Sequence, residues 1–181
     1  MLRKLSAIIL VTLIAGFSAA AQMPDFGSAK QRTEMKKLEK LVGMWEGDGW
    51  IQQGPNKFEF RGTESVVWKV EGIAALVEGN YRLKTTDGSQ GKIIHETLAV
   101  LSFNQKTNIF DFKTFLANGS QGFHEMKPTS DNTFVWGFET PSGQMRYTIT
   151  IANNTWSEIG EMSKDGKMWM KFFEMNLNKR K

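Results

Sequence analysis

From Met44 onward, short runs rich in β-branched and aromatic residues alternate with brief turns, and no stretch between them is long enough for a crossover helix. Strands joined by such short connections pair antiparallel, so this one pattern narrows the possible folds sharply. The runs are 44–52, 57–70, 73–84, 92–103, 108–116, 121–126, 133–140, 144–152, 155–163 and 168–177. Most turns carry Gly, Asn or Asp, as in Gly54-Pro55-Asn56, Asn118-Gly119, Asn153-Asn154 and Lys164-Asp165-Gly166. These residues tolerate the positive φ of tight hairpins. The segment 128–132, opened by Pro128, reads as another turn. A meander of about nine or ten strands curls on itself, and closure removes edges that would otherwise invite aggregation. The expectation is an all-β, antiparallel, up-and-down barrel. A two-sheet sandwich is the alternative, disfavoured because it needs longer Greek-key connections.

Alternation within the runs assigns faces. Phe110, Phe112, Thr114 and Leu116 share one face; so do Phe134, Trp136 and Phe138; so do Met145, Tyr147, Ile149 and Ile151, with Arg146 opposed to the last set. The chain holds 13 Phe, 6 Trp and 10 Met against 2 Tyr, an inventory of bulky, pliable side chains. Candidate walls of a lumen are Phe110, Phe112, Phe134, Trp136, Phe138, Met145, Tyr147, Trp156, Met170 and Phe172, with Arg146 or Arg82 to neutralise a ligand carboxylate. The same rings can instead fill the interior, leaving no cavity. Both readings stay open.

The beginning of the chain follows other rules. Met1-Leu2-Arg3-Lys4 is basic, 7–17 is apolar, and Ser18-Ala19-Ala20-Ala21 supplies small residues before a cleavage point. This is the pattern of a secretory signal peptide over 1–21, and the apolar run falls short of the roughly 20 residues of a spanning helix. Residues 22–28 read as a flexible lead-in, and 29–181 as one barrel domain opened by a helix over 29–41. That helix turns Met35, Leu38 and Leu41 to one side, suited to plugging the end of a sheet. Removing Arg3 and Lys4 from the 23 basic residues leaves 21 against 19 acidic ones, a net charge of +2. So weak a charge makes no case for nucleic acid. The expected product is exported, periplasmic or secreted, soluble, and free of a stable membrane span.

Chemistry is narrowed by what is missing. With no cysteine there is no disulfide framework, thiolate metal site or cysteine nucleophile, and two histidines almost exclude a multi-histidine metal centre. The expected metal complement is none. The sharpest motif is Gly43-Met44-Trp45-Glu46-Gly47-Asp48-Gly49, between the helix and the first strand. Gly43 permits a sharp exit from the helix, Trp45 can point inward, and Gly47 and Gly49 fall on its face where close approach is needed.

This motif resembles the Gly-x-Trp signature of the calycin superfamily, which includes lipocalins and fatty-acid-binding proteins. Its extended form is similar to the opening of nitrobindin-type haem barrels. Ser163-Lys164-Asp165-Gly166-Lys167-Met168-Trp169, followed by Lys179-Arg180, is similar to a family of secreted bacterial calycin-like proteins of unassigned activity. In lipocalins a late basic residue packs on the early Trp; here the resemblance assigns that role to Arg180 or Lys179 over Trp45. It also implies binding of a small hydrophobic or amphipathic molecule. Nitrobindin-type barrels hold haem through a histidine on a late strand, and this chain has none after His124. His95, sharing a face with Thr97, Ala99 and Leu101, is the remaining candidate ligand or acid–base group, and His124 is placed near a strand edge. The alternative function is therefore a haem protein or lumen enzyme using His95 with an inward carboxylate from among Glu64, Glu78, Glu96, Asp111, Glu139, Glu158 and Glu161. The leading expectation is non-catalytic binding without a cofactor.

Overall fold

The computed structural model describes residues 28–87, 89 and 91–181. The expected signal peptide and all of the lead-in before Ser28 lie outside the described residues. A helix α1 (Ser28–Met35) tightens into a 3-10 turn over Lys36–Leu41. Ten strands follow: β1 (Gly43–Gln53), β2 (Asn56–Lys69), β3 (Ala74–Leu83), β4 (Ile93–Asn104), β5 (Ile109–Leu116), β6 (Gln121–Ser130), β7 (Thr133–Thr140), β8 (Gly143–Ala152), β9 (Thr155–Ser163) and β10 (Met170–Lys179). Each pairs antiparallel with its neighbours in sequence, and β1 pairs with β10 to close the barrel. The up-and-down barrel expected from the turn spacing is the fold.

Two boundaries differ from the sequence reading. β6 runs through Pro128 to Ser130 instead of ending before it, and its register with β7 shifts between those two residues. A bulge absorbs the ladder bond that proline cannot donate. β10 begins later than expected because Asp165 holds the preceding residues in a turn. Its carboxylate accepts the backbone N–H groups of Lys167 and Met168 and the Ser163 hydroxyl, which together keep its pKa below the ordinary range.

The helical segment covers one end of the barrel. Met35, Leu38 and Leu41 are buried against the core. Gln31 donates to the Phe103 carbonyl at 3.1 Å, Lys30 to Asn108 at 2.8 Å, and Lys40 to Asn132, so the turns after β4 and β6 hold the plug in place. Beneath it the barrel is solid. Phe103, Phe110, Phe134 and Ile151 are all buried in this half.

Closure of the barrel depends on the Gly43–Gly49 motif. Trp45 is 1% exposed, its indole N–H donates to the Leu41 carbonyl at 2.8 Å, and its ring meets Trp156 edge-on at 5.7 Å. A Cβ on Gly47 would sit 2.1 Å from the Asn176 carbonyl oxygen, and one on Gly49 would sit 2.5 Å from the Phe60 ring. Both positions must be bare for β1 to lie against β10 over the packed core. The cationic cap is Lys179, whose ammonium stands 5.0 Å from the Trp45 ring centre. Arg180, the other candidate, does not cap Trp45. Lys179 is the cross-strand partner of Trp45 and shares its face, whereas Arg180 reaches Glu46, which also accepts Arg61 at 2.9 Å.

Gly47→Ala is expected to cost about 3 kcal/mol, the upper end for overpacking, because its clash is with backbone that cannot swing aside. Urea unfolding at neutral pH measures it; a loss under about 1 kcal/mol would mean that the β1–β10 seam is more pliant than its geometry indicates.

Candidate binding cavity in the barrel lumen

The half of the barrel away from α1 is hollow. A cavity of about 420 Å³ occupies it, lined by side chains from all ten strands and by Leu41 at its floor. Gln53, Leu116, Ser120 and Gln121 belong to its lining and sit beside the turns after β1 and β5, at the end opposite the helix. The mouth is therefore at that end. Wall and filled core are both present, one in each half of the barrel.

Two aromatic stacks form much of the wall. On one side Tyr81 lies between Phe60 and His95, with ring centres 4.8 Å away in each case. On the other, Tyr147 lies flat on Trp136 at 4.3 Å, and Phe138 and His124 continue the array at 6.1 Å and 5.3 Å from Trp136. Period-two alternation places these rings inward, and cross-strand pairing makes the stacks: Trp136 is opposite Tyr147, and Tyr81 is opposite His95.

Two carboxyl groups interrupt the apolar lining. Glu64 on β2 and Glu158 on β9 are each 6% exposed and both border the cavity. Glu64 accepts the Tyr81 hydroxyl at 2.5 Å, and Glu158 accepts the Trp156 indole N–H at 3.1 Å. Burial is the main influence on both, because an ionised carboxylate there loses its water. It pushes Glu64 up to about 8, opposed by the Tyr81 hydrogen bond and assisted by the charge of Glu158. Glu158 is pushed up to about 7, opposed by hydrogen bonds from Trp156 and Trp136. Burial also raises the two tyrosine hydroxyls and lowers both histidines, so the imidazoles stay neutral at pH 7.

The structure places the sequence-predicted residues as follows. Phe112, Trp136, Phe138, Tyr147, Trp156 and His95 line the cavity. Phe110 and Phe134 do not; they are buried in the filled half. Arg146 is not in the lumen either. It alternates to the outer surface, donates to Glu161 at 2.7 Å and stacks 4.0 Å over Trp169. Arg82 donates to the Gly91 carbonyl at 3.4 Å and also stays out of the lining, so among the described residues no lysine or arginine lines the cavity. Of the seven carboxylates considered, Glu78, Glu96 and Glu139 are exposed, Asp111 accepts Asn104, and Glu161 holds Arg146. Only Glu64 and Glu158 border the lumen. His124 is not at a strand edge: with β6 extended, it is mid-strand opposite Phe112, and its Nε2 shares a hydrogen bond with the Thr114 hydroxyl at 3.2 Å. Its Nδ1 is buried without a partner among the described residues.

Comparison with solved structures was made on this architecture. The barrel is similar to the crystal structure of Rv2717c from M. tuberculosis, with a TM-score of 0.60 and 13% identity over 81% of this chain and 97% of that one. It is also similar to the S-type phycobiliprotein lyase CpeS from Guillardia theta, with a TM-score of 0.53 and 12% identity over 87% of this chain and 98% of that one. The fold is shared; the sequences are far apart. No family model matches the chain, and no curated protein matches it in sequence.

The lining does not suit a haem. The Nε2 of His95 is already engaged by the Thr97 hydroxyl and its ring is stacked on Tyr81, while the Nε2 of His124 faces Thr114. Among the described residues no cationic side chain lines the cavity to receive propionates. Among the described residues no group of three or more His, Asp or Glu is arranged to hold a metal ion.

The raised carboxyl groups make stability depend on pH. Both glutamates bind protons more tightly folded than unfolded, so stability falls as pH rises through their folded pKa values. Between pH 6.5 and 8.5 the glutamates, at about 7 and 8, set the slope, and the two histidines, protonated in part only in the unfolded chain at the lower end of this window, oppose it weakly. The expected loss across this window is on the order of 2 kcal/mol, read by denaturant titration at each pH. Glu64→Gln with Glu158→Gln should flatten it; an unchanged slope in the double variant would mean that these groups ionise normally.

Proposed function

We propose that the protein is an exported binding protein for a small, largely apolar molecule, taken up through the open end of a calycin-like barrel. The observation that carries this reading is the cavity of about 420 Å³, above the ~300 Å³ low end of small-molecule sites and lined by stacked aromatic rings. Large side chains such as Trp45, Phe103, Phe110 and Phe134 are buried in the other half of the barrel, so the space at the mouth is not a general failure to pack. Flat rings on two walls suit a flat or partly aromatic ligand. One structural neighbour is by name a phycobiliprotein lyase, so a barrel of this architecture serves a protein with a molecular target. The short apolar segment near the beginning of the chain supports export, and no helix among the described residues is long and apolar enough to cross a membrane. Gly43, Trp45, Gly47 and Gly49 favour the calycin superfamily, and the turn Ser163–Trp169 favours its secreted bacterial family.

A second reading, acid–base chemistry in the lumen, draws on one specific arrangement. Tyr81 bonds Glu64 and stacks on His95, which joins a proton-holding carboxyl to an imidazole through one side chain. A carboxyl with a pKa near neutrality is what a general acid or base requires. Turnover of a bound compound, lost in Glu64→Gln, would favour this reading over simple binding.

The binding reading is tested with N-phenyl-1-naphthylamine, a neutral probe whose fluorescence rises in apolar surroundings. Saturable enhancement is expected with a dissociation constant in the micromolar range or tighter. Thr97→Trp, which projects a ring into the lumen, should weaken it at least ~10-fold; Arg146→Ala, on the outer wall, should leave it unchanged. Absence of saturable binding in a folded protein overturns the proposal.

A further inference from the structure

We propose that the cavity selects ligands bearing a positively charged nitrogen, which it seats between Glu64 and Glu158 beneath the two aromatic stacks. The inference rests on the binding reading above and adds to it the charge class of the ligand. It starts from an asymmetry in the lining. Among the described residues two carboxyl groups border the cavity, and no lysine or arginine does. A fatty acid or another carboxylate would enter a chamber with nothing to neutralise it and, once the glutamates ionise, two groups to repel it. The arginines that sequence alone offered for that purpose are engaged elsewhere, Arg146 with Glu161 and Trp169 on the outside, Arg82 with the Gly91 carbonyl.

The carboxyl groups are also poorly explained as structural elements. Neither has a cationic partner, although buried charges are ordinarily paired. Each accepts a donor from a neighbouring ring, Tyr81 or Trp156, but both are nine-tenths buried and border open space. They approach closely enough that the charge on Glu158 raises the pKa of Glu64. A cation placed between them would relieve that repulsion and supply the missing counter-charge. The walls suit the same guest, because Trp136 and Tyr147, stacked on one another, line the cavity, and a desolvated cation is attracted to an open aromatic face.

The other titratable groups facing this pair do not compete. They are Tyr81 on β3, His95 on β4, His124 on β6 and Tyr147 on β8; burial keeps the imidazoles neutral and the phenols protonated near pH 7. The net charge of the lumen is set by Glu64 and Glu158 alone. Cation binding must then strengthen as pH rises and the carboxyl groups give up their protons, until the amine itself deprotonates. This is opposite in sign to the pH dependence of the empty protein's stability.

Three probes of nearly equal size decide the matter: 1-naphthylmethylamine, 1-naphthylmethanol and 1-naphthoate, titrated calorimetrically into the full chain at pH 6 and pH 8. The amine should bind at least ~10-fold more tightly than the alcohol at pH 8, with the naphthoate weakest and the amine's advantage smaller at pH 6. Glu64→Gln with Glu158→Gln should abolish the amine's advantage over the alcohol at pH 8, and an unchanged near-ultraviolet circular dichroism spectrum shows that the barrel is intact. If the alcohol binds as well as the amine at pH 8, or the naphthoate binds best, the charge selectivity is wrong and the binding reading stands. If none of the three binds to folded protein, and the neutral fluorescent probe also fails, both readings fall together.

Discussion

The seam between β1 and β10 is the contact on which the other features depend. An up-and-down meander is an open sheet until its first and last strands meet, and here they meet where Gly47 and Gly49 have no side chain to hold them apart. Trp45 fixes one end of the seam by bonding back to Leu41 and packing on Trp156, and Lys179 covers the ring. Once the seam is closed, every strand has a neighbour on both sides, and the wall is interrupted only toward the mouth, where β6 and β7 pair over Met126–Ser130 and Thr133–Trp136 but not beyond. The helical plug completes the enclosure at the other end. A low-dielectric chamber follows from the closure, and the unusual acid–base properties of the lumen follow from the chamber.

Those properties have a cost. A glutamate that must either lose its charge or hold it without water is a poor choice for a barrel wall, and an aliphatic residue at either position would stabilise the empty protein more. Real proteins depart from local optimality at sites where something other than stability is served. The departure is confined: around Trp45, Phe110 and Phe134 the packing is conventional, dense and apolar. The barrel thus divides along its axis into a half that holds the fold and a half that carries the polar exceptions. Such a division lets the mouth vary without loosening the seam, which fits a likeness of fold that persists at 12–13% identity.

Much of this was legible in the residues. Turn chemistry located ten strands to within a few positions, and alternation sent Phe112, Trp136, Phe138 and Tyr147 inward as found. Alternation also marks the two lumen acids: Glu64 falls on the face of Phe60 and Val66, and Glu158 on the face of Trp156, so each is an acid on an apolar stripe. His124 was misplaced because Pro128 was read as the start of a turn, whereas a bulge carries the strand past it. Arg146 was offered to the lumen although its neighbour Tyr147 already claimed that side. Other features had no sequence signature. Which half of the barrel is filled depends on where the helix docks, and the proximity of Glu64 and Glu158, 94 residues apart, depends on the register accumulated around the whole sheet.

The bond from the Trp156 indole to Glu158 has an optical consequence. Indole emission responds to the electric field along its ring, and here a titrating carboxyl lies at the end of the N–H bond, 3.1 Å away. A proton gained or lost by Glu158, or a charged guest arriving beside it, changes that field without moving the backbone. The chain therefore carries an intrinsic gauge of its own lumen, in which ionisation and occupancy register as shifts in tryptophan emission with no label attached.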